Sequence, residues 1–391
     1  MTVLKPLSEL VRFKGGGTPS KQIPEYWGGD IPWASVKDFT STSLEKTQDF
    51  ITQDGLENSS ANLIPKGHVI IPTRMALGKA AINTVDLAIN QDLRALVPIV
   101  PLNAEYLLHA FLSLKDEIIK KGSGATVKGI TQEELYKLEI AYLPLEDQIR
   151  IAHLLGKVEA LITQRKQHLQ QLDDLLKSVF LEIFGDPVRN EKGWNIQTCE
   201  KAVLGISSGT SYGGEDRSFE SPEELGVLKI SAVTKGTFDP AEFKVVNRAQ
   251  ITKNLRFVKR GDFLFSRANT VELVAACCVV PEDHDRLFLP DKLWVLTLNA
   301  DLVTPQFFNY LLKNQRYRDV VRNLASGGHD SMLNISMKKF MTLDVPCPPI
   351  EIQKQFAGII EKVTCLKASY QKGLVDVEEL YSAISQKVFA R

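Results

Sequence analysis

The sequence predicts a mixed α/β protein built from two tandem-repeated globular domains. Each domain is followed by a long helix, and the two helices are expected to pair as an antiparallel coiled coil. Three observations predict this fold: a duplicated stretch of chain, a heptad pattern after each copy, and matching strand-like and helix-like segments upstream. At 391 residues the chain has room for two or three domains, each with its own core.

The duplication is clearest in LEIAYLPLEDQ (138–148) and LDVPCPPIEIQ (343–353). Residues 130–184 match residues 335–389 without a gap, always 205 positions further along (Ile130 against Ile335). Besides Ile130, eleven of these residues are identical in the second copy: Leu138, Pro144, Glu146, Gln148, Ala152, Lys157, Val158, Leu161, Leu169, Leu175 and Phe184. An ungapped match of this length indicates an internal duplication.

Upstream, the two copies correspond more loosely. GGGTPS (15–20) resembles SSGTSY (207–212), KGHVIIPTR (66–74) resembles RGDFLFSR (260–267) with one gap, and NQDLRAL (90–96) resembles PDKLWVL (290–296). One part of each half is therefore kept while the other diverges. This favours a common frame that carries two modules recognising different things, with unselected drift as the alternative.

Each copy continues into a heptad pattern about five heptads long, with one charged residue within each series, Arg165 and Lys367. The predicted coiled-coil interface consists of Ile151, Leu155, Val158, Ile162, Leu169, Leu172, Leu176, Val179 and Ile183, with Phe356, Ile360, Val363, Tyr370, Leu374, Val377, Tyr381, Ile384 and Val388. Neither helix would be stable alone with such a stripe exposed, so they are expected to pair with one another. The alternative is that each helix packs only on its own module.

The predicted domains are a first module (1–144), a long helix (145–184), a linker (185–195), a second module (196–349) and a second long helix (350–391). Strands are predicted at 68–72, 94–100, 262–266 and 293–298, and helices at 104–121 and 304–325. A Gly/Ser-rich loop follows each of these helices, at 122–129 and 326–333.

The composition excludes several classes of protein. No apolar run reaches the ~18–20 residues that a membrane-spanning helix needs, and the amino terminus has no signal-peptide pattern, so a cytoplasmic protein is expected. The five cysteines include no C-x-x-C pair, and Cys277 and Cys278 are expected to be buried on opposite faces of a strand. The 47 basic and 47 acidic residues balance, so any DNA binding must use local patches or a partner.

No catalytic centre is visible. KGGGTPSK (14–21) lacks the end of a P-loop, and there is neither a G-x-G-x-x-G nor a D-P-P-Y-like motif. The six histidines show no metal-ligand spacing. Glu242 and Lys244 form the E-x-K half of a nuclease signature, with Asp216 and Asp239 upstream, but a chain this rich in charge contains such triplets by chance.

Side chains suited to nucleic acid recur on loops and strand ends of both modules. In the first module they are Thr18, Ser20, Lys21, Arg74, Lys79, Gln91, Lys121, Ser123, Thr126 and Lys128. In the second they are Ser211, Tyr212, Arg217, Arg267, Asn269, Lys292, Arg322, His329 and Ser331. The basic runs KNLRFVKR (253–260) and RYRDVVR (316–322) add to this set. Taken singly, each residue is more typical of a solvated surface than of a base contact, and it is their occurrence as a set on paired modules that indicates nucleic-acid binding.

Over its full length the chain resembles the specificity subunits of type I restriction-modification systems. The resemblance rests on GGGTPS (15–20), WGGDIPWASVKDF (27–39), Asn90-Gln91, the Gly/Ser loop and the P-x-E-x-Q motif that leads into the long helix. The second module has SSGTSY in place of GGGTPS and lacks WGGDIPW, so contact residues transfer to it less directly.

The resemblance implies that each module is a target-recognition domain for one half of a bipartite, asymmetric DNA site. It implies that the coiled coil fixes the spacer and docks two methyltransferase subunits, which bind S-adenosylmethionine and methylate adenine. Two restriction/translocase subunits that use ATP and Mg²⁺ can join them. The chain itself would bind no metal or cofactor and catalyse nothing.

Three alternatives remain open. The chain could be the recognition subunit of a type II restriction enzyme whose partner fuses methyltransferase and nuclease. It could be a coiled-coil scaffold with two protein-binding modules and no affinity for DNA. It could also be a nuclease centred on Glu242 and Lys244, which would cleave DNA on its own with a metal ion.

Overall fold

The structure is a computed structural model that describes residues 3–124, 127–326 and 332–389. The chain divides into two compact units. Unit 1 comprises Met1–Gln167 with Gln371–Arg391, and unit 2 comprises His168–Tyr370. This division differs from the predicted domains, because each long helix begins in one unit and ends in the other and is not a separate domain.

The described residues of unit 1 form these strands: β1 (Val3–Pro6), β2 (Val11–Gly15), β3 (Trp27–Ala34), β4 (Ser43–Leu44), β5 (Asp49–Ile51), β6 (Asn62–Ile64), β7 (Val69–Pro72), β8 (Ala81–Asn83), β9 (Leu87–Ile89), β10 (Leu93–Pro98) and β11 (Glu139–Tyr142). Its helices are α1 (Leu7–Leu10), α2 (Gln53–Glu57), α3 (Ala104–Ser113), α4 (Lys115–Lys121) and α5 (Gln132–Tyr136). Short 3₁₀ turns lie at Pro24–Tyr26 and Val36–Asp38. The first long helix, α6 (Leu145–Phe184), begins in this unit.

In unit 2 the part of the chain that the structure describes forms these strands: β12 (Asn195–Thr198), β13 (Val203–Ser208), β14 (Leu225–Leu228), β15 (Phe243–Val246), β16 (Phe257–Val258), β17 (Phe263–Ser266), β18 (Ala268–Asn269), β19 (Cys277–Val279), β20 (His284–Phe288), β21 (Leu293–Leu298), β22 (Leu333–Asn334) and β23 (Asp344–Cys347). Its helices are α7 (Cys199–Ala202), α8 (Pro305–Lys313), α9 (Gln315–Arg322) and α10 (Met337–Met341), with 3₁₀ turns at Ile230–Val233 and Arg248–Gln250. The second long helix, α11 (Ile350–Phe389), begins here.

The sheets repeat from one unit to the other, although the sequences of the modules have diverged. Unit 1 has the strand orders β2-β10-β7-β8-β4 and β5-β3-β9-β6, and unit 2 has β13-β21-β17-β19 and β15-β14-β20-β16. The parallel pair β3 and β9 has its counterpart in the parallel pair β14 and β20. In each module the first strand pairs with the last, β1 with β11 and β12 with β23. The duplication therefore covers the whole globular module.

The four predicted strands are present with ends that lie within two residues of the predicted bounds, but each predicted module helix (104–121 and 304–325) is two helices. The first breaks at Leu114, between α3 and α4, and the second at Asn314, between α8 and α9. Asn314 has a non-helical ψ of 125°, and its side chain accepts a hydrogen bond from the Tyr317 N–H. An asparagine in this role starts a new helix, which the apolar periodicity alone does not reveal.

In unit 2 the residues of α6 that contact α11 rise in number as their partners on α11 fall in number. The His168 and Tyr370 rings meet edge-on at 5.3 Å, and Lys367 Nζ lies 2.6 Å from Asp173 Oδ1. Further along, the Phe180 ring meets Phe356 with centroids 5.7 Å apart. The helix segments are therefore antiparallel neighbours.

In unit 1 the helices are also in contact. Lys166 Nζ lies 2.8 Å from Glu378 Oε1, and the end of α11 places Phe389 in the same apolar core as Leu155. All the predicted interface residues are buried or half-buried. The alternative in which each helix packs only on its own module is therefore wrong.

The two adjacent cysteines are buried as predicted. Cys277 belongs to the core cluster that contains Phe307 and Phe356, and Cys278 belongs to a separate cluster around Leu264. Their side chains therefore lie on opposite faces of β19, and burial raises the pKa of Cys277 to about 11 and of Cys278 to about 12. Among the described residues, no helix is long and apolar enough to span a membrane.

Candidate nucleic-acid interface

One loop of each module has room only for glycine at one position, because a side chain there would collide with a neighbouring carbonyl. A Cβ atom on Gly16 would lie 1.8 Å from the carbonyl oxygen of Ile89, and a Cβ on Gly209 would lie 1.8 Å from that of Leu289. The residue after each glycine donates its N–H to the same carbonyl. Gly17 donates to Ile89, and Thr210 donates to Leu289, both at 3.0 Å. Gly16 and Gly209 are thus equivalent, which shifts the letter match of GGGTPS with SSGTSY by one residue.

This close approach places a hydroxyl against the neighbouring loop in both modules. Thr18 Oγ1 donates a hydrogen bond to Gln91 Oε1, and Ser211 Oγ donates one to Asp291 Oδ1. Thr18 and Ser211 occupy the same place once the glycines are superimposed. Two predicted DNA-contact residues of the first module, Thr18 and Gln91, are therefore neighbours.

The two tryptophans of WGGDIPW support the loop in unit 1. Trp33 Nε1 donates a hydrogen bond to the Gly17 carbonyl at 3.0 Å, and Trp27 Nε1 donates one to the Ser20 carbonyl at 3.2 Å. Their rings meet edge-on at 5.1 Å. This motif therefore positions the glycine loop.

Strand register corrects the predicted match of Arg74 with Arg267. Leu93 pairs with Pro72 across β10 and β7, as Leu293 pairs with Ser266 across β21 and β17. Pro72 and Ser266 are therefore equivalent. The residues that follow them, Thr73 and Arg267, are equivalent too. Arg74 and Arg267 are therefore one position apart in the two modules, and the structure has no gap there.

Hydrogen bonds confirm this equivalence. The Thr73 N–H donates to the Asp92 carbonyl at 2.7 Å, and the Thr73 carbonyl accepts from Ile130 N–H at 3.0 Å. In unit 2 the Arg267 N–H donates to the Lys292 carbonyl at 3.2 Å, and the Arg267 carbonyl accepts from Ile335 N–H at 2.8 Å.

The Gly/Ser loop closes against the same strand end. Arg74 forms a β-bridge with Gly129, and Ala268 pairs with Asn334 in the equivalent place. Three loops thus meet on each module. We refer to the residues that meet in unit 1 as face 1: Thr18, Thr73, Arg74, Met75, Gln91, Asp92, Ser123, Lys128 and Gly129. Those in unit 2 are face 2: Ser211, Arg267, Ala268, Asn269, Asp291, Lys292, Ser326 and Asn334.

The arginines of the two faces differ in freedom. The Arg74 side chain is 67% exposed, and it pairs only loosely with Asp92, at 3.9 Å. Arg267 is 26% exposed, donates from Nη1 to Asn334 Oδ1 at 3.0 Å and lies 3.7 Å from Asp291. Arg74 can therefore turn to a ligand, whereas the Arg267 fork is already engaged.

Several predicted contact residues are used inside their modules. Arg217 donates hydrogen bonds to Glu215 at 2.7 Å and to Glu224 at 2.6 Å. The hydrogen bond from Arg217 lowers the pKa of Glu224 to about 2. Arg322 donates to Asp319 and to the Glu272 carbonyl. Both guanidiniums already bind acceptors of their own module and are less available to a phosphate, although among the described residues the buried Arg322 Nε has no hydrogen-bond partner.

Other candidates are engaged more locally. Tyr212 Oη accepts two backbone N–H groups, and Lys79 Nζ donates to the Phe39 carbonyl at 2.9 Å. Lys121 pairs with Glu134 at 3.3 Å. Ser20 and Lys21 are exposed beside the glycine loop, while Asn269 is 8% exposed. The predicted contacts Thr126, His329 and Ser331 lie outside the described residues.

The proposed nuclease residues are neutralised by lysines. Lys229 Nζ lies 2.5 Å from Asp216 and 3.8 Å from Glu242, and Lys235 pairs with Asp239 at 3.2 Å. Within residues 3–124, 127–326 and 332–389, no group of three His, Cys, Asp or Glu side chains could hold a metal ion.

Residues 3–173 match the family described as "Type I restriction modification DNA specificity domain". The specificity subunit of type I restriction enzyme MjaIX from Methanocaldococcus jannaschii is 28% identical over 98% of this chain and 92% of its own length. Residues 3–173 are therefore similar to the DNA specificity domain of type I restriction-modification systems, and the chain as a whole is similar to a specificity subunit. The EcoR124I/EcoR124II specificity subunit of Escherichia coli is 34% identical over 40% of this chain and 41% of its own length.

Two solved structures from type I restriction-modification systems share the fold of this chain. The type I restriction-modification S subunit of M. genitalium covers 100% of this chain and 96% of its own, with a TM-score of 0.56 and 13% identity. A chain from a study of complex assembly and conformational transition in a type I system covers 99% and 97%, with a TM-score of 0.58 and 16% identity.

The structure also identifies face residues that the sequence did not indicate. Met75, Asp92 and Asp291 lie on the faces, and none was a predicted contact. Asp92 follows the predicted contact Gln91 in the NQDLRAL segment, and Asp291 stands at the place of Gln91 in the PDKLWVL segment. These positions are the sequence signal that could have identified the two aspartates. Nothing in the sequence marks Met75, because its signal is a backbone angle.

Proposed function

We propose that each module of this specificity subunit reads one half of a split, asymmetric double-stranded DNA site, and that the paired helices set the unread spacer. One observation carries the proposal: equivalent backbone contacts build both faces, while the side chains at equivalent places differ. Gln91 stands where unit 2 has Asp291, and Asp92 stands where it has Lys292. Identical faces would read a palindrome, and unlike faces fit two different half-sites.

The side chains of face 1 have the chemistry of base readout. An arginine fork suits guanine O6 and N7, and a glutamine amide suits adenine N6 and N7. Arg74 is exposed enough to reach a base, and Gln91 keeps its Nε2 donor free of the Thr18 contact. Exposed Lys128 suits a phosphate, which fixes orientation rather than sequence.

We propose that the helices dock two methyltransferase subunits. Leu161 and its repeat partner Leu366 are 46% and 45% exposed, and Leu175 and Leu380 are 47% and 50% exposed. Identical leucines left uncovered at identical places suit two copies of one partner. The methyltransferase subunits would bind S-adenosylmethionine and methylate adenine, and two restriction/translocase subunits would use ATP and Mg²⁺.

In this arrangement the specificity subunit catalyses no step. Because its net charge is zero, the subunit alone should bind DNA weakly and with a shallow dependence on salt. The partner subunits would then supply much of the phosphate contact.

Single-molecule methylome sequencing of cells with and without this gene tests the proposal. We expect a split adenine-methylated motif that disappears on deletion. Arg74→Ala should relax one half of the motif, and Lys292→Ala should affect only the other half. An unchanged methylome with expressed partner genes, together with no DNA footprint by the assembled complex, would favour the scaffold alternative. The type II alternative predicts the same motif and is distinguished by the neighbouring genes.

A further inference from the structure

Met75 combines two features that rarely occur together. Its φ is +63°, in the left-handed region that bulky side chains avoid, and the residue is 63% exposed. In the described ranges the other non-glycine residues with positive φ are Asn190 and Ala275. Asn190 is of a type that tolerates this angle, and Ala275 is buried at 1% exposure. Met75 alone of the three pairs such a backbone with an exposed apolar side chain.

The surrounding loops hold the backbone of Met75 in place. The Met75 N–H donates to the Lys128 carbonyl at 3.2 Å, and its neighbour Arg74 bridges Gly129. The Ala76 N–H donates to the Arg74 carbonyl at 2.7 Å. Strained residues of this kind persist where surrounding structure determines them, and they cluster at functional sites.

The Met75 side chain stands beside an open cavity of about 580 Å³. Arg74, Asp92 and Ser123 line this cavity, as does Val127, which is 49% exposed. An exposed thioether and an exposed guanidinium thus lie on neighbouring residues of face 1. Such a pair presents an apolar contact next to a hydrogen-bonding fork.

We propose that Met75 is a specificity-determining residue that contacts the C5-methyl group of a thymine in the major groove, next to the base pair that Arg74 reads. The thymine methyl is the apolar feature that the major groove displays, and a flexible thioether adapts well to it. The inference rests on the proposed function. Asn269, at the equivalent place of face 2, is buried and bonds the Thr270 N–H, so the contact belongs to one half-site only.

Uracil-substituted DNA tests this contact directly, since uracil is thymine without the methyl group. The purified complex with its methyltransferase subunits is titrated with site DNA carrying uracil at each thymine in turn. We expect one position, in the half-site that Arg74→Ala relaxes, where uracil weakens binding about fourfold, the effect of one buried methyl group.

Met75→Gly should bind thymine and uracil equally at that position, and Met75→Leu should keep the preference. Glycine suits the left-handed backbone, so Met75→Gly should fold at least as well as the wild type. The inference is overturned if no thymine of that half-site is sensitive, if the half-site contains none, or if Met75→Gly keeps the wild-type sensitivity. A complex that recognises no bipartite site would instead remove the proposed function, and this inference with it.

Discussion

Gln148 and Gln353, which are 205 positions apart, make equivalent hydrogen bonds in the two units. Both side chains are fully buried. In unit 1, Gln148 Oε1 accepts from the Asn103 N–H at 2.9 Å, and Nε2 donates to the carbonyls of Leu143 at 2.8 Å and Pro101 at 3.4 Å.

In unit 2, Gln353 Oε1 accepts from the Thr304 N–H at 2.8 Å, and Nε2 donates to Pro348 at 2.8 Å and Leu302 at 2.9 Å. Asn103 and Thr304 are the N-caps of α3 and α8. The glutamine in the first turns of each long helix therefore ties that helix to the neighbouring helix of its own module.

Gln148→Met should lower the free energy of unfolding by about 2–4 kcal/mol, since it leaves a buried backbone N–H and two carbonyls without partners. Gln353→Met should cost about the same, and the double variant should cost the sum to within about 0.5 kcal/mol. Urea unfolding followed by circular dichroism measures these values.

The matched control for this pair is Gln171→Met, on the exposed surface of α6, which should change stability by less than about 0.5 kcal/mol. A Gln148→Met protein as stable as this control would show that the buried hydrogen bonds contribute nothing net.

Gly209→Ala should be strongly destabilising, because the added Cβ would meet the Leu289 carbonyl oxygen at 1.8 Å and force the loop away. We expect a loss of about 3 kcal/mol or more, as for other severe steric clashes. Gly213→Ala, four residues along the same loop, meets nothing within 4 Å and is the control. Equal thermal unfolding of the two variants would mean that the loop has room to relax.

The frame of the fold was predictable because its signals are long. These signals extend over many residues: the repeat with its offset of 205, which includes Gln148, the heptad series, and the alternation of strands and helices. The apolar stripe also predicted that the helices pair, and the antiparallel contact of Asp173 with Lys367 agrees with that prediction.

The details of the faces were not predictable, because they depend on backbone geometry. Arg74 and Arg267 look equivalent in the letters, and only strand pairing shows that Arg267 stands at the place of Thr73. Arg217 has the chemistry of a DNA contact, but it folds back onto Glu224. The angle that exposes Met75 leaves no trace in residue type.

Leu172→Asp should destabilise the isolated chain by about 3 kcal/mol, since it places a carboxylate at a half-buried heptad position. Leu175→Asp changes the same residue type three positions along α6, at a site 47% exposed, and should cost less than about 0.5 kcal/mol. Chemical unfolding separates the two variants.

The assembled complex should respond differently to the same pair. If Leu175 lies under a methyltransferase subunit, Leu175→Asp should weaken assembly while leaving the chain stable, and Leu172→Asp should change or abolish the spacer. A Leu172→Asp chain that kept its stability and the spacer length would contradict the role of the paired helices as a ruler.

His109 should make unit 1 sensitive to mild acid. The residue is 3% exposed, its Nδ1 lies 2.9 Å from Tyr381 Oη, and burial lowers its pKa to about 4. Between about pH 6.5 and pH 4 the unfolded chain binds a proton that the folded chain does not, so stability falls as the pH falls through this range. The free energy of unfolding falls by about 3 kcal/mol in total. This loss is complete near pH 4 and absent above pH 7.

Urea unfolding of the wild type and of His109→Gln at pH 7.5, 5.5 and 4.5 measures this effect. We expect the free energy of unfolding to fall less steeply for His109→Gln than for the wild type. His153→Gln, at an exposed position of α6, should follow the wild-type curve. Parallel curves for all three proteins would mean that His109 is protonated as readily in the folded chain as in the unfolded one, and that the contact of α3 with α11 is not the acid-sensitive part of unit 1.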